Sequence, residues 1–256
     1  ALRRLKDLTP AQRTAIFKRP PILDKATLKT AATILAEVRE QGDTAIRKYT
    51  KRFDKATLAA VEATPAEIEA ATGRIPRNVQ MALRTMYDSV LRYHKEGAPR
   101  PFEIQPLRGV MLGRLVVPFE RAGLYVPGGT ALYPSSLIMA AVPATVAGVR
   151  HLTLCSPPTP EGTLPDLILF TAHLCGVEKI LKIGGAQAIG AMAYGTTTIQ
   201  RCDIIVGPGN RFVTAAKKLV SEEVAIDFLA GPTEIVVLSD GETSPAFIAA
   251  DLLAQA

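Results

Sequence analysis

Three glycine-bearing segments each end in a side chain able to hydrogen-bond: Pro127-Gly-Gly-Thr, Gly184-Gly-Ala-Gln and Gly207-Pro-Gly-Asn. A fourth, Ala230-Gly-Pro-Thr, precedes an apolar run instead of following one. Glycines let a backbone approach a ligand closely and adopt positive φ. A helix beginning just after such a turn presents unpaired N–H groups toward an anion such as a pyrophosphate. One such loop reads equally well as a tight turn. Three of them converging on one sheet edge point to a nucleotide site. The usual GxGxxG dinucleotide fingerprint is absent, so the expected site is a non-standard one. Gln187 and Asn210 are uncharged amides placed to read a ligand's edges, with helix capping as the plain alternative, stronger for Asn210. Tyr125 is placed to stack on a flat ring or simply to pack in the core with its hydroxyl outward.

Proton-transfer chemistry is much less visible. The three histidines, His94, His151 and His173, belong to no evident pair and no metal spacing. The three cysteines, Cys155, Cys175 and Cys202, show no CxxC or Cys/His zinc spacing and read as buried thiols of a reducing compartment. Cys155 ends an apolar run, so a thiol-based aldehyde dehydrogenase is a weak further reading, with no local feature that would activate the sulfur.

The elements needed to position these loops follow from periodicity. Residues up to about 95 read as helices. Thr27–Gln41 carries a stripe of Leu28, Ala31, Ala32, Leu35 and Val38, with Gly42 where a C-cap is wanted. Thr64-Pro65-Ala-Glu67 spells a capping box with Pro at the first helical position. A further helix spans Asn78–Tyr93. Phe102-Glu-Ile-Gln alternates, and residues 110–118 look like an extended pair broken at Gly113. From about residue 123, short apolar runs (Gly123–Val126, His151–Cys155, Lys179–Ile183, Asp203–Val206 and Glu234–Leu238) alternate with helical segments (Pro134–Ala147, Leu164–Leu174, Ala186–Tyr194 and Asn210–Val220). Gly148, Gly176 and Gly195 fall at or just past helix ends. Apolar runs joined by helices predict an α/β fold with a parallel sheet covered on both faces, preceded by a helical N-terminal region.

Composition restricts the partners. The chain has 256 residues, 48% of them hydrophobic and 21% charged, as in ordinary globular proteins. Residues 1–55 hold 14 Lys/Arg against six Asp/Glu, but the charges are interleaved without an aromatic-studded basic stripe. That pattern predicts a solvated helical face and no nucleic-acid partner. No apolar run reaches bilayer length and no secretory h-region opens the chain, so the expectation is a cytoplasmic protein with no membrane partner.

Taken in order, Gly123-Leu-Tyr-Val-Pro-Gly-Gly-Thr, Leu154-Cys-Ser-Pro-Pro, Gly184-Gly-Ala-Gln-Ala-Ile, Val206-Gly-Pro-Gly-Asn, Ala225-Ile-Asp, Ala230-Gly-Pro-Thr-Glu and Ala250-Asp-Leu-Leu-Ala-Gln-Ala strongly resemble the histidinol dehydrogenase family over roughly residues 20–256. The resemblance implies NAD-dependent, four-electron oxidation of L-histidinol to L-histidine through the aldehyde, with a bound zinc, in a homodimer. It implies a Rossmann-like NAD-binding domain over 123–232, a first α/β domain built from 21–122 plus 233–256, and an N-terminal helical arm over 1–20. Tyr125, Gln187 and Asn210 match the family's NAD-contacting positions. Thr233 matches a substrate-contacting position that is often Ser, and Gln255 matches a zinc ligand that also lies at the substrate.

The family's next zinc ligand, a His three residues after its Gln, has no counterpart in these 256 residues, nor do its catalytic Glu-His pair and its remaining Asp and His ligands. Residues 248–256 read as an apolar helix without a C-cap. The expectation is therefore a C-terminally truncated or partial chain, inactive alone, which as a free fragment should aggregate or pair. A non-catalytic nucleotide-binding module is the alternative from another functional class.

Overall fold

The computed structural model describes residues 7–17, 23–128, 132–229 and 235–255. The chain divides into two compact units, Lys25–Ala230 and the two terminal stretches Ala1–Asp24 and Gly231–Ala256. The terminal unit contains α1 (Pro10–Phe17) and α10 (Pro245–Gln255). In α10, Phe247, Leu252 and Leu253 are exposed and Ile248 is half-buried.

The large unit begins with α2 (Lys25–Gln41), α3 (Asp43–Phe53), α4 (Pro65–Arg74) and α5 (Arg77–Gly97). Helix α2 buries Thr27, Ala31, Ile34, Leu35 and Val38. The stripe thus runs through Ile34, while the expected Ala32 is exposed. Gly42, at φ +51°, ends α2 and turns the chain into α3. The capping box at α4 is formed as expected: Glu67 N–H donates to Thr64 Oγ1 at 3.2 Å, and Thr64 N–H to Glu67 Oε2 at 2.6 Å.

A hairpin follows, β1 (Phe102–Leu107) with β2 (Val110–Arg114). Its turn is at Arg108-Gly109, where Gly109 has φ +83°, and Gly113 lies inside β2. The expected break at Gly113 is therefore displaced. An added Cβ at Gly113 would lie 2.7 Å from the Phe102 carbonyl oxygen, so the glycine serves close strand pairing and not a turn.

The remaining elements alternate: β3 (Arg121–Tyr125), α6 (Pro134–Val146), β4 (His151–Ser156), α7 (Asp166–Leu174), β5 (Lys179–Lys182), α8 (Gly185–Tyr194), β6 (Ile204–Val206), α9 (Arg211–Val220) and β7 (Ala225–Ile226). The strands form one parallel sheet in the order β5-β4-β3-β6-β7. The chain steps outward from β3 to β5, then returns past β3 to lay down β6 and β7. The switch point lies between β3 and β6, and in such sheets ligands bind beyond the strand carboxyl ends there.

Both faces of the sheet are covered. Leu124 and Val126 join the core beneath α6 and α7, which pack with α4 and α5. On the other face, an added Cβ at Gly123 would come within 2.6 Å of Met192 Sδ in α8. Helices α8 and α9 pack there with α2 and, for α8, also with α3. Large core side chains such as Phe170, Leu124 and Ile189 are fully buried, each stabilising the fold by roughly 1.5–3 kcal/mol. The segment Val61–Ala63 runs along the outer side of β5, with Lys182 N–H donating to Val61 O and Ala63 N–H to Ile180 O, both at 2.8 Å. It covers the sheet edge that would otherwise be open.

One expected strand is not formed. Ile235–Leu238 is irregular and exposed, and Glu234 lies outside the described residues. The fifth strand is β7, which pairs with β6 through Ile204–Ala225 and Ile205–Ile226.

Candidate ligand site

Tyr125 ends β3 with its side chain buried, and its hydroxyl accepts a hydrogen bond from Gly185 N–H at 3.0 Å. Burial holds the phenol well above its ordinary range; the Gly185 bond opposes this and the nearby Asp54 adds to it. The hydroxyl is thus a neutral group pinned to the first turn of α8. Gln187 sits two residues further into that turn, 1% exposed, and neither its Oε1 nor its Nε2 has a partner among the described residues. A buried unpaired polar group costs about 1–3 kcal/mol. An amide with two such atoms is held ready for something else.

Across the switch point, Asn210 caps α9. Its Oδ1 accepts from Phe212 N–H at 2.9 Å and Val213 N–H at 3.2 Å. The capping role is therefore real, and Asn210 also lines the same pocket as Tyr125 and Gln187. That pocket, of about 640 Å³, is walled largely by apolar groups, including Ile34, Pro127, Pro157, Pro158 and Phe212. Tyr125, Gln187 and Asn210, singled out in the sequence, are brought together. Thr233 lies outside the described residues, and Gln255 falls within α10 of the other unit.

The Gly207 loop is fixed from below. Gly207 adopts φ +120°, and a Cβ there would fall 2.0 Å from the Tyr125 carbonyl oxygen. Lys217 Nζ, buried in α9, donates to Gly207 O at 3.0 Å and pairs with Asp227. Asp227 in turn accepts from Gly207 N–H at 2.8 Å and Phe228 N–H at 2.7 Å. The carboxylate and ammonium thus hold both polar groups of one glycine. A residue just after β7 and a residue in α9 set where the Gly207–Asn210 turn stands relative to Tyr125.

Asp54, unremarked in the sequence, is the surprise of the site. It caps the C-terminal end of α3 and lines the pocket. Burial pushes its carboxyl up to about 6. Among the described residues its Oδ2 has no hydrogen-bond partner and no Lys, Arg or His lines the pocket. A helix C-terminus carries partial negative charge, so an acid there is doubly unfavourable. No local pattern distinguishes it from the other charges of the basic first 55 residues; only the packing of α3 on α8 reveals it.

Other candidates are excluded by position. Cys155 is fully buried in β4, and desolvation raises its thiol far above the reactive range, which removes the thiol-based reading. Burial likewise pushes Cys175 and Cys202 up to about 12. His151 contacts Glu178 at 2.7 Å, away from the pocket, and His94 and His173 do not line it either. Among the described residues no cluster of three or more His, Cys, Asp or Glu is arranged to hold a metal ion, and no helix is long and apolar enough to cross a membrane.

The model of the family described as histidinol dehydrogenase matches residues 18–256. Histidinol dehydrogenase of Clostridium acetobutylicum is 48% identical over 229 residues, covering 90% of this chain and 53% of the relative. That of Vibrio parahaemolyticus is 41% identical over 255 residues, covering 98% of this chain and 58% of the relative. The chain thus spans little more than half the length of these curated relatives. A crystal structure of histidinol dehydrogenase from Elizabethkingia anophelis is similar with a TM-score of 0.89 at 37% identity, covering 97% of this chain and 58% of that one.

Proposed function

Since the chain belongs to the histidinol dehydrogenase family, we propose that the switch-point pocket binds NAD and that the whole protein oxidises L-histidinol to L-histidine through the aldehyde, the closing steps of histidine biosynthesis. The observation that carries the NAD reading is the unpaired amide of Gln187, buried in the wall of a pocket that Tyr125 and Asn210 also line. The orphan amide and the glycine turns fit a nucleotide.

Each residue has a part in holding that cofactor. The Tyr125 ring offers an apolar face, and its hydroxyl locks the first turn of α8. Gln187 supplies a donor and an acceptor already stripped of water. Asn210 caps the first turn of α9 through Phe212 and Val213 N–H and so fixes where that wall of the pocket stands. The nicotinamide supplies hydride acceptance when bound; these residues hold the dinucleotide that carries it. Removing the alcohol proton at each hydride transfer needs a base, worth about 10²- to 10⁴-fold per step. In this reading that base, most zinc ligands and the substrate contacts around Thr233 and Gln255 belong to an assembly including the half of the relatives this chain does not span.

Zinc is part of the proposal for the whole protein only. It wants about four ligands, mostly nitrogen or sulfur, and the described residues offer no such set. No step is routed through it. The division into a first domain (21–122 with 233–256), an NAD domain (123–232) and an arm (1–20) belongs to the same proposal, as does a homodimer. The exposed apolar side chains of the β1–β2 hairpin support the dimer.

Calorimetric titration of the 256-residue chain with NAD⁺ tests the reading, with Gln187→Ala as comparison. Saturable binding weakened about tenfold by the substitution is expected, together with no turnover of histidinol. Equal heats from both proteins would remove Gln187 from the site. Turnover by this chain alone would refute the placement of the base outside it.

A further inference from the structure

We propose that Asp54 decides between the two nicotinamide dinucleotides: its carboxyl receives the adenosine ribose hydroxyls of NAD and turns away the 2′-phosphate of NADP. The proposal rests on reading the pocket as an NAD site and assigns a specificity determinant within it.

In the common form of the doubly wound fold, the acid that reads the ribose 2′-hydroxyl follows the glycine-rich turn by about twenty residues and lies at the end of the next strand. Here that next strand is β4, and it ends in Ser156-Pro157-Pro158. No carboxylate stands there. Pro157 and Pro158 instead line the pocket, and Asp54 lines it from the end of α3. The missing acid is supplied from a helix outside the alternating β/α run.

Asp54 is suited to that task. A carboxylate is an acceptor only, and two adjacent hydroxyls are donors that match it. Among the described residues its buried Oδ2 has no hydrogen-bond partner and no Lys, Arg or His lines the pocket beside it. A ligand carrying hydroxyls completes it. A ligand carrying a 2′-phosphate, with about −1.5 to −2 charge near neutrality, meets a like charge with no basic side chain among the described lining residues to receive it. Like-charge juxtaposition of this kind suppresses the wrong partner.

Calorimetric titration of the wild-type chain, Asp54→Asn and Asp54→Ser with NAD⁺ and NADP⁺ tests the idea, with thermal melts confirming that each variant folds. The wild type should favour NAD⁺ by about tenfold or more, and both variants should narrow that ratio by about tenfold. A wild type that binds the two equally overturns the proposal without any variant. An NAD⁺ preference that survives both substitutions also overturns it while leaving the NAD site in place. A wild type that binds neither dinucleotide refutes the NAD reading itself, and the specificity claim with it.

Discussion

At the scale of the residue, the site stores instability. Gln187 is buried with both amide atoms unpaired, so Gln187→Leu should raise the stability of the free protein by ~1–2 kcal/mol while weakening NAD⁺. Denaturant melts of both proteins, with and without NAD⁺, check it; a destabilised variant would mean the amide is paired. Asp54 makes a pH-dependent contribution. Its folded-state value, about 6, lies above its unfolded one near 3.8, so folding favours the protonated form. Stability is therefore greatest below the unfolded value and falls as pH rises through the folded one. Discounted for partial exposure, the deficit above pH 7 is ~1–2 kcal/mol. Asp54→Asn should melt higher than wild type at pH 8 and not at pH 4; equal differences at both would dismiss the carboxyl as the cause. Tyr125, Gln187 and Asn210 were legible because glycine turns mark where strands stop. Asp54 was not, because an acid at a helix end carries no sign of what the helix is packed against.

At the scale of the element, the Gly207–Asn210 turn depends on parts remote from it in sequence. The alternation of strands and helices was readable, and the helix bounds from α6 to α9 fall within about two residues of expectation. The last strand was not. Glu234–Leu238 has the stronger β composition, yet the two-residue β7 pairs with β6. Tertiary pairing overrides propensity in so short a strand. What keeps β7 in register is the residue after it, Asp227, through Lys217 and Gly207. Removing one partner of a buried ion pair costs about 3–5 kcal/mol. Lys217→Met should therefore lower the melting temperature strongly and weaken NAD⁺. Gly207→Ala should do the same, since its Cβ would collide with the Tyr125 carbonyl. Wild-type stability in both variants would show that the turn is not held as described.

At the scale of the whole molecule, the region around the hairpin presents apolar surface to solvent. Leu107, Met111, Leu115 and Val117 are all exposed, Leu115 and Val117 at more than 80%. Surface of this kind marks association. Sedimentation equilibrium should find self-association that Leu115→Lys with Met111→Lys reduces, NAD⁺ affinity being retained. A monomeric wild type at tens of micromolar would contradict the proposed homodimer.

The packing of α2 on α9 bears on how the protein is made. Helix α2 buries its stripe against helices that include α9, yet it ends at Gln41 and α9 begins at Arg211. At roughly 5–20 residues per second, a ribosome needs on the order of ten to thirty seconds to travel between them. For that interval Ala31, Ile34, Leu35 and Val38 have no complete partner. The stripe of α2 is therefore among the last parts of the core to be closed during synthesis.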